Sequence, residues 1–210
     1  MAEKAMLTCD AVVFTIKNNQ LLVLLIKRGN EPFKGKYALP GGIVDEGEEV
    51  DNAANRELYE ETGIVTDLFF NSVYSSVKRD PRKRSVSFAY IGLVTPATNL
   101  CPGDDAKDAK WFFVNELPEL GFDHEKIIID AKDRLRSEIM SSNIIKDWMP
   151  AQFSLTQLKK RYEAILEESI ELGQLQSWVE KCGLFIKKGD AYTFTTTEFE
   201  KSKLLFGIHL

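Results

Sequence analysis

Three carboxylates in one short stretch, Glu57, Glu60 and Glu61, are spaced i, i+3 and i+4, so a helix places them on one face. Crowded together they repel one another and weaken that helix unless a cation neutralises them. Hard oxygen donors suit Mg²⁺ or Mn²⁺, ions that bridge protein carboxylates and substrate phosphates. Arg56 lies four residues before Glu60 and eight after Glu48, within reach to brace either side chain. Upstream, Gly41-Gly42 offers bare backbone that a metal or a phosphate can approach closely. One helix with its preceding loop can therefore hold metals, polarise a pyrophosphate and position a water.

The elements needed to present these groups are legible in the pattern. Ala11 to Ile16 and Leu21 to Ile26 are apolar, β-rich runs around Lys17-Asn18-Asn19-Gln20, which predicts a hairpin. A loop is expected from Lys27 to Ala38, and Leu39-Pro40-Gly41-Gly42 forbids a helix. From Glu49 to Thr62 neither Gly nor Pro occurs, and Val50, Ala53, Ala54, Leu58 and Tyr59 recur at helical spacing, with Gly63 placed as a C-cap. Strands are predicted over Ile64 to Tyr74, Val86 to Val94 and Lys110 to Val114, and a second helix from Asp123 to Met140. After about residue 145 the pattern changes. Ser154 with Gln157 is a capping-box pair opening a helix to Leu166, and a further helix runs from Ile170 to Lys181. Leu184 to Ile186 and Tyr192 to Thr197 then flank a turn. Helix, helix and two-stranded ribbon is the order of a winged helix-turn-helix module.

Composition narrows the classes. The 210 residues hold 27 Lys+Arg against 32 Asp+Glu, a net charge of −5, which disfavours a protein living mainly by wrapping nucleic acid. The longest apolar runs are far too short to span a bilayer, and Glu3 precedes any apolar run, unlike a signal peptide. Cys9, Cys101 and Cys182 are odd in number and far apart, as expected of reduced thiols in a cytoplasmic protein.

The stretch from Gly42 through Glu48, Arg56-Glu57-Leu58 and Glu60-Glu61 to Gly63-Ile64 matches G-x5-E-x7-R-E-U-x-E-E-x-G-U, with U apolar, at every specified position. The chain thus resembles the Nudix hydrolases, which cleave nucleoside diphosphates linked to another moiety with a divalent metal. The resemblance covers roughly residues 6–140. It implies an α/β fold, an α/β/α sandwich around a mixed sheet in residues 1–145, while the changed pattern beyond it marks residues 146–210 as a small winged-helix-like α+β domain. It makes Glu57, Glu60 and Glu61 the expected Mg²⁺ or Mn²⁺ ligands with the Gly41 carbonyl a further one. Glu57 is also a candidate base, and Arg56 and Glu48 support the set.

Outside that box, Arg79-Asp80-Pro81-Arg82-Lys83-Arg84 and the strand after it resemble a run in Nudix proteins of ADP-ribose and NAD metabolism. Arg79, Arg82 and Arg84 are accordingly the candidate substrate-binding residues, since guanidinium groups pair bidentately with diphosphate oxygens. A solvated loop is the plainer reading of each. Phe33, Tyr37 and Tyr90 are candidates for stacking on adenine, though ordinary packing suits them as well. Asp104, Asp105 and Asp108 offer a late carboxylate or simply a polar turn, and His124 reads as structural.

From Phe122-Asp123-His124-Glu125 through the tail, the chain resembles the Nudix-related transcriptional regulators of NAD metabolism, which join a sensing domain to a DNA-binding winged helix and typically dimerise. Two features depart from that pattern. The box is intact, and the would-be recognition helix from Glu171 to Lys181 offers Gln174 and Gln176 but two glutamates against one lysine. Residues 151–210 carry 8 basic and 8 acidic side chains, with no excess charge for counterion release. The expected activity is Mg²⁺-dependent hydrolysis of a nucleoside diphosphate derivative, ADP-ribose to AMP and ribose 5-phosphate, by a cytoplasmic homodimer. The alternative is an ADP-ribose-sensing regulator, with DNA as a partner that the tail charge disfavours.

Overall fold

The computed structural model describes residues 4–95 and 108–195. The chain forms two compact units, Met1–Thr15 with Leu22–Ala131, and Ile16–Leu21 with Lys132–Leu210. Cys101, Asp104 and Asp105 lie outside the described residues. Among the described residues no helix is long and apolar enough to cross a membrane.

The first unit is built on a mixed sheet. β1 (Met6–Lys17) and β2 (Gln20–Lys27) are neighbours joined at Asn18 and Asn19, both at positive φ, as the twist of a two-residue hairpin turn requires. β3 (Tyr37–Ala38) and β4 (Gly41–Ile43) are short strands within and just after the expected loop, pairing with β2 and β1. β5 (Leu68–Tyr74), β6 (Ser85–Leu93) and β7 (Ala109–Phe113) complete it. The central order is β3-β2-β1-β6-β5, with β4 on β1 and β7 on β2. β1 and β6 run parallel while the other registered pairs are antiparallel.

β1 is buried almost continuously, the mark of a strand covered on both faces. Its odd residues, Cys9, Ala11 and Val13, pack with Ala53, Ala54 and Leu58 of α1 (Val50–Thr62). Strand alternation sends Asp10 to the other side, where it meets His124 at the start of α2 (His124–Glu138). Helices therefore cover both sides of the sheet, as an α/β/α sandwich requires. Gly63 closes α1 at φ 71, its N–H donating to the Tyr59 carbonyl, the left-handed cap its position predicted.

In the second unit, α3 (Leu155–Leu166) opens on the full Ser154/Gln157 capping box. α4 (Leu172–Val179) follows, then the ribbon β8 (Phe185–Lys188) and β9 (Ala191–Phe194). Phe153 exchanges both backbone hydrogen bonds with Tyr192, adding a bridge to the ribbon's edge. Phe153 and Trp178 each meet Phe185 edge to face, Phe194 packs tilted against Phe153 and Phe185, and buried Tyr162 donates its hydroxyl to the Ile139 carbonyl at 2.7 Å.

Candidate active site

α1 carries the three carboxylates, and β4 holds the glycine turn against it. The Gly41 N–H donates to Glu61 Oε2 at 2.9 Å. At Gly42 a Cβ would fall 2.3 Å from Glu57 Oε1, so the carboxylate rests directly on bare backbone. Arg56 is the brace that its spacing suggests. Nε and Nη2 donate to the two oxygens of Glu48, each at 2.9 Å, while Nη1 donates to Glu57 at 2.9 Å and Glu60 at 3.3 Å. The guanidinium and the Asp45 N–H together hold the Glu48 carboxyl down at about 2.

Glu57 and Glu61 shift the opposite way from Glu48. Burial, with Arg56 only partly offsetting it, raises the Glu57 carboxyl above its ordinary value. Burial pushes Glu61 up to about 8, and the neighbouring Glu57 adds to the rise despite the hydrogen bond from Gly41. These groups line a groove of about 710 Å³ whose charged members are Asp45, Glu57, Glu60 and Glu61 against Lys27 and Arg28. Four hard carboxylates facing two cations, with two of them strained by burial, form a donor set that fits a small divalent ion. As the side chains stand, no three His, Cys, Asp or Glu side chains among the described residues converge on one point, and Arg56 holds Glu57 and Glu60.

The arginine segment divides. Arg79 is buried, donating through Nε and Nη2 to Asp123 at 3.1 and 2.9 Å and through Nη2 to Asp10 at 3.3 Å. Arg82 is half-exposed and bidentate on Asp80, at 3.1 and 2.7 Å. Both line a second cavity that adjoins the groove at Gly42 and Ile43. Arg84 is not part of that lining; it reaches the Ser75 carbonyl at 2.5 Å.

The aromatic candidates are packed against protein. Phe33 meets Phe122 edge-on, Tyr37 meets Phe112, and the Tyr90 hydroxyl bonds to Asp51. Asp108 pairs with Lys110 rather than with the carboxylate face. His124 is buried, as a structural histidine should be, but it sits beside the site. Its Nδ1 accepts the Leu39 N–H at 2.9 Å and its Nε2 lies 3.4 Å from Asp10, while burial lowers its pKa and keeps the ring neutral. Asp10 and Arg28 are the groups that sequence reasoning missed. One lies inside an apolar strand and the other in a loop, and only the sheet register brings them to the site.

The NUDIX domain family profile matches residues 6–131. An ADP-ribose pyrophosphatase of Methanocaldococcus jannaschii is 52% identical over 109 residues, which are 51% of this chain and 64% of that protein. The ADPR responsive transcriptional repressor NtrR of Acinetobacter baylyi is 33% identical over 172 residues, 79% of this chain and 68% of that one. The chain thus spans about two thirds of the length of each. Among solved structures, NrtR of Shewanella oneidensis complexed with a 27mer DNA superposes with a TM-score of 0.76 at 29% identity, covering 90% of this chain and 93% of that one.

Proposed function

Since this chain belongs to the NUDIX family, we propose that it is a divalent-metal-dependent hydrolase of nucleoside diphosphates linked to another moiety, with ADP-ribose its substrate and AMP and ribose 5-phosphate its products. The observation that carries this reading is the intact carboxylate face of Glu57, Glu60 and Glu61 seated on the Gly41-Gly42 backbone. Those three side chains and the Gly41 carbonyl are the proposed ligands of Mg²⁺ or Mn²⁺, which when bound supplies charge neutralisation for the diphosphate and activation of a water. Glu57 is the proposed base. Its half-buried carboxylate rests on the Gly42 backbone, and Arg56 fixes its orientation. Glu48 anchors Arg56 through a bidentate pair. Of the arginines, Arg82 is the one proposed to touch substrate, with Arg79 holding the cavity wall and Arg84 outside it. The free thiols of Cys9 and Cys182 support a reducing, cytoplasmic setting, and the resemblance to the Nudix-related regulators supports a homodimer.

The test is AMP release from ADP-ribose by the purified chain, with Mg²⁺ and with chelator. Glu61→Gln is expected to lower the rate at least about 10²-fold with the fold retained. Absence of metal-dependent release from any nucleoside diphosphate derivative ends the hydrolase reading.

A second reading, an ADP-ribose-sensing regulator, is supported by the near full-length match to the DNA-bound structure. Gln174 and Ser177 on the exposed face of α4 and Lys181 just after it are available, but Gln176 is tied to Glu180 and Lys187 also faces Glu180. Binding to arbitrary duplex at physiological salt is therefore expected to be weaker than micromolar. A tight, ADP-ribose-sensitive gel shift on the gene's own promoter DNA would put the regulator first.

A further inference from the structure

The strip Leu39-Pro40-Gly41-Gly42, which seats two of the three carboxylates, has few backbone donors to anchor it. Of its first three residues Pro40 has no N–H, which leaves those of Leu39 and Gly41. The Gly41 N–H donates to Glu61 of α1 at 2.9 Å. The Leu39 N–H is taken up from the opposite face of the sheet. Its acceptor is not a carbonyl but Nδ1 of His124, the first residue of α2, at 2.9 Å. Both residues are buried, Leu39 1% and His124 4% exposed. The glycine turn is thus strung between the two helices that cover the sheet.

The surroundings of the imidazole fix it in the form that this bond needs. With Nδ1 accepting, the ring proton sits on Nε2, which faces Asp10 Oδ1 at 3.4 Å. Asp10 is held in turn by Ser87 and by Arg79, which also grips Asp123 next to His124. Phe122 stacks on the ring at 5.2 Å and 29°, setting its plane. The strip itself is clamped to β1. The Ala11 N–H donates to the Pro40 carbonyl at 2.8 Å, and a Cβ on Gly41 would fall 2.1 Å from the Cys9 carbonyl oxygen. With so little slack, a displacement at Leu39 passes to Gly41 and Gly42, and so to the seats of Glu61 and Glu57.

We propose that His124 is a positioning residue: by holding the Leu39 N–H, its Nδ1 fixes the Gly41-Gly42 backbone under Glu61 and Glu57 and so sets the carboxylate geometry offered to a divalent ion. The proposal rests on the metal-dependent reading above. It adds a residue from the far face of the sheet, outside the carboxylate set.

Calorimetric titration of the full chain with Mn²⁺ tests it, on wild type, His124→Asn and His124→Gln. Both replacements are polar and uncharged. Asn places its amide oxygen where Nδ1 stood, whereas Gln places its polar end at the Nε2 position and leaves the Leu39 N–H without an acceptor. The Gln variant is expected to bind Mn²⁺ at least about tenfold more weakly than wild type, and the Asn variant within about threefold of it. The kcat for AMP release should follow the same order, with KM for ADP-ribose within about threefold throughout. Equal Mn²⁺ affinity in all three proteins overturns the proposal. So does an equal loss in both variants, since a role in packing alone does not tell the two ring nitrogens apart. Should the Gln variant not fold, amide exchange on wild type decides. Mg²⁺ is expected to slow exchange at Leu39 together with Gly41, and slowing at Gly41 alone overturns the coupling. Wild type that binds no Mn²⁺ overturns the metal reading itself, and the proposal with it.

Discussion

Gly42→Ala should separate stability from chemistry at this site. The added methyl would meet Glu57 at 2.3 Å from Oε1, 2.4 Å from Cδ and 2.7 Å from Oε2, all at the free end of a flexible side chain. The carboxylate can rotate away, giving up its 2.9 Å hydrogen bond from Arg56. That partly exposed ion pair contributes about 1 kcal/mol at most. Replacing Gly by Ala at a compatible backbone offsets it by about 0.4–1 kcal/mol through the unfolded chain. The net change in stability should stay within about 1 kcal/mol, a shift in Tm of about 2–4 °C at most for a chain of this size. Turnover should nonetheless fall at least about 10²-fold, because the displaced group is both the proposed base and a proposed metal ligand. Gly41→Ala is the contrast. Its methyl would meet the Cys9 carbonyl oxygen at 2.1 Å and Asp10 Cα at 2.9 Å, backbone atoms that cannot rotate aside, at φ +155. It should lose the fold. Differential scanning fluorimetry and AMP release, run on both variants, read the two quantities separately. Gly42→Ala with near wild-type turnover would show that the seat of Glu57 on the turn is immaterial, and the reasoning would be refuted.

Other expectations are more local. Arg82→Ala should cost roughly 1.5–3 kcal/mol in kcat/KM for ADP-ribose while Arg84→Ala, whose side chain reaches the Ser75 carbonyl, stays within about threefold; the reverse order would misplace the substrate. Ser154→Ala should remove the cap of α3 and cost about 1 kcal/mol in urea unfolding, and no loss would deny the capping box an energetic role. Burial lowers the pKa of His124 below its unfolded value near 6.5, so its contribution is complete above that pH and lost as pH falls through and below it. Wild type should therefore lose stability relative to His124→Asn, which keeps an acceptor for the Leu39 amide, by up to about 1.4 kcal/mol per pH unit. Parallel stability curves for the two proteins would contradict a neutral buried imidazole.

What the sequence disclosed and what it hid follow from how far apart the interacting residues lie. The hairpin, α1 with its Gly63 cap and the capping box of α3 are local, written in periodicity and turn chemistry within a few residues. The carboxylate face and its arginine brace were legible for the same reason. The cavity beside them was not. Asp10 sits in a run of apolar residues, and its partners Arg79, Ser87 and His124 arrive through the parallel register of β1 with β6 and the start of α2. The arginine run gave residue types without saying which charges were already matched, and that distinction separates Arg82 at the cavity from Arg84 at Ser75. β3 and β4 are too short to show a period, and exist because β1 and β2 offer them edges.

The same difference in reach has a kinetic consequence. The Gly41–Glu61 hydrogen bond closes a loop of 20 residues, whereas the Leu39–His124 hydrogen bond closes one of 85. Chain entropy charges the longer closure about 1.3 kcal/mol more, before any long-range contact can offset it. β1 and β6 must also find each other as parallel strands, from Met6 against Ser85 to Phe14 against Leu93, a slow kind of pairing. The carboxylate helix and its glycine turn thus need only short closures, to each other and to β1. The neighbouring cavity can form only once the whole sheet has closed. A nascent or partly refolded chain would form its carboxylate face well before the cavity beside it.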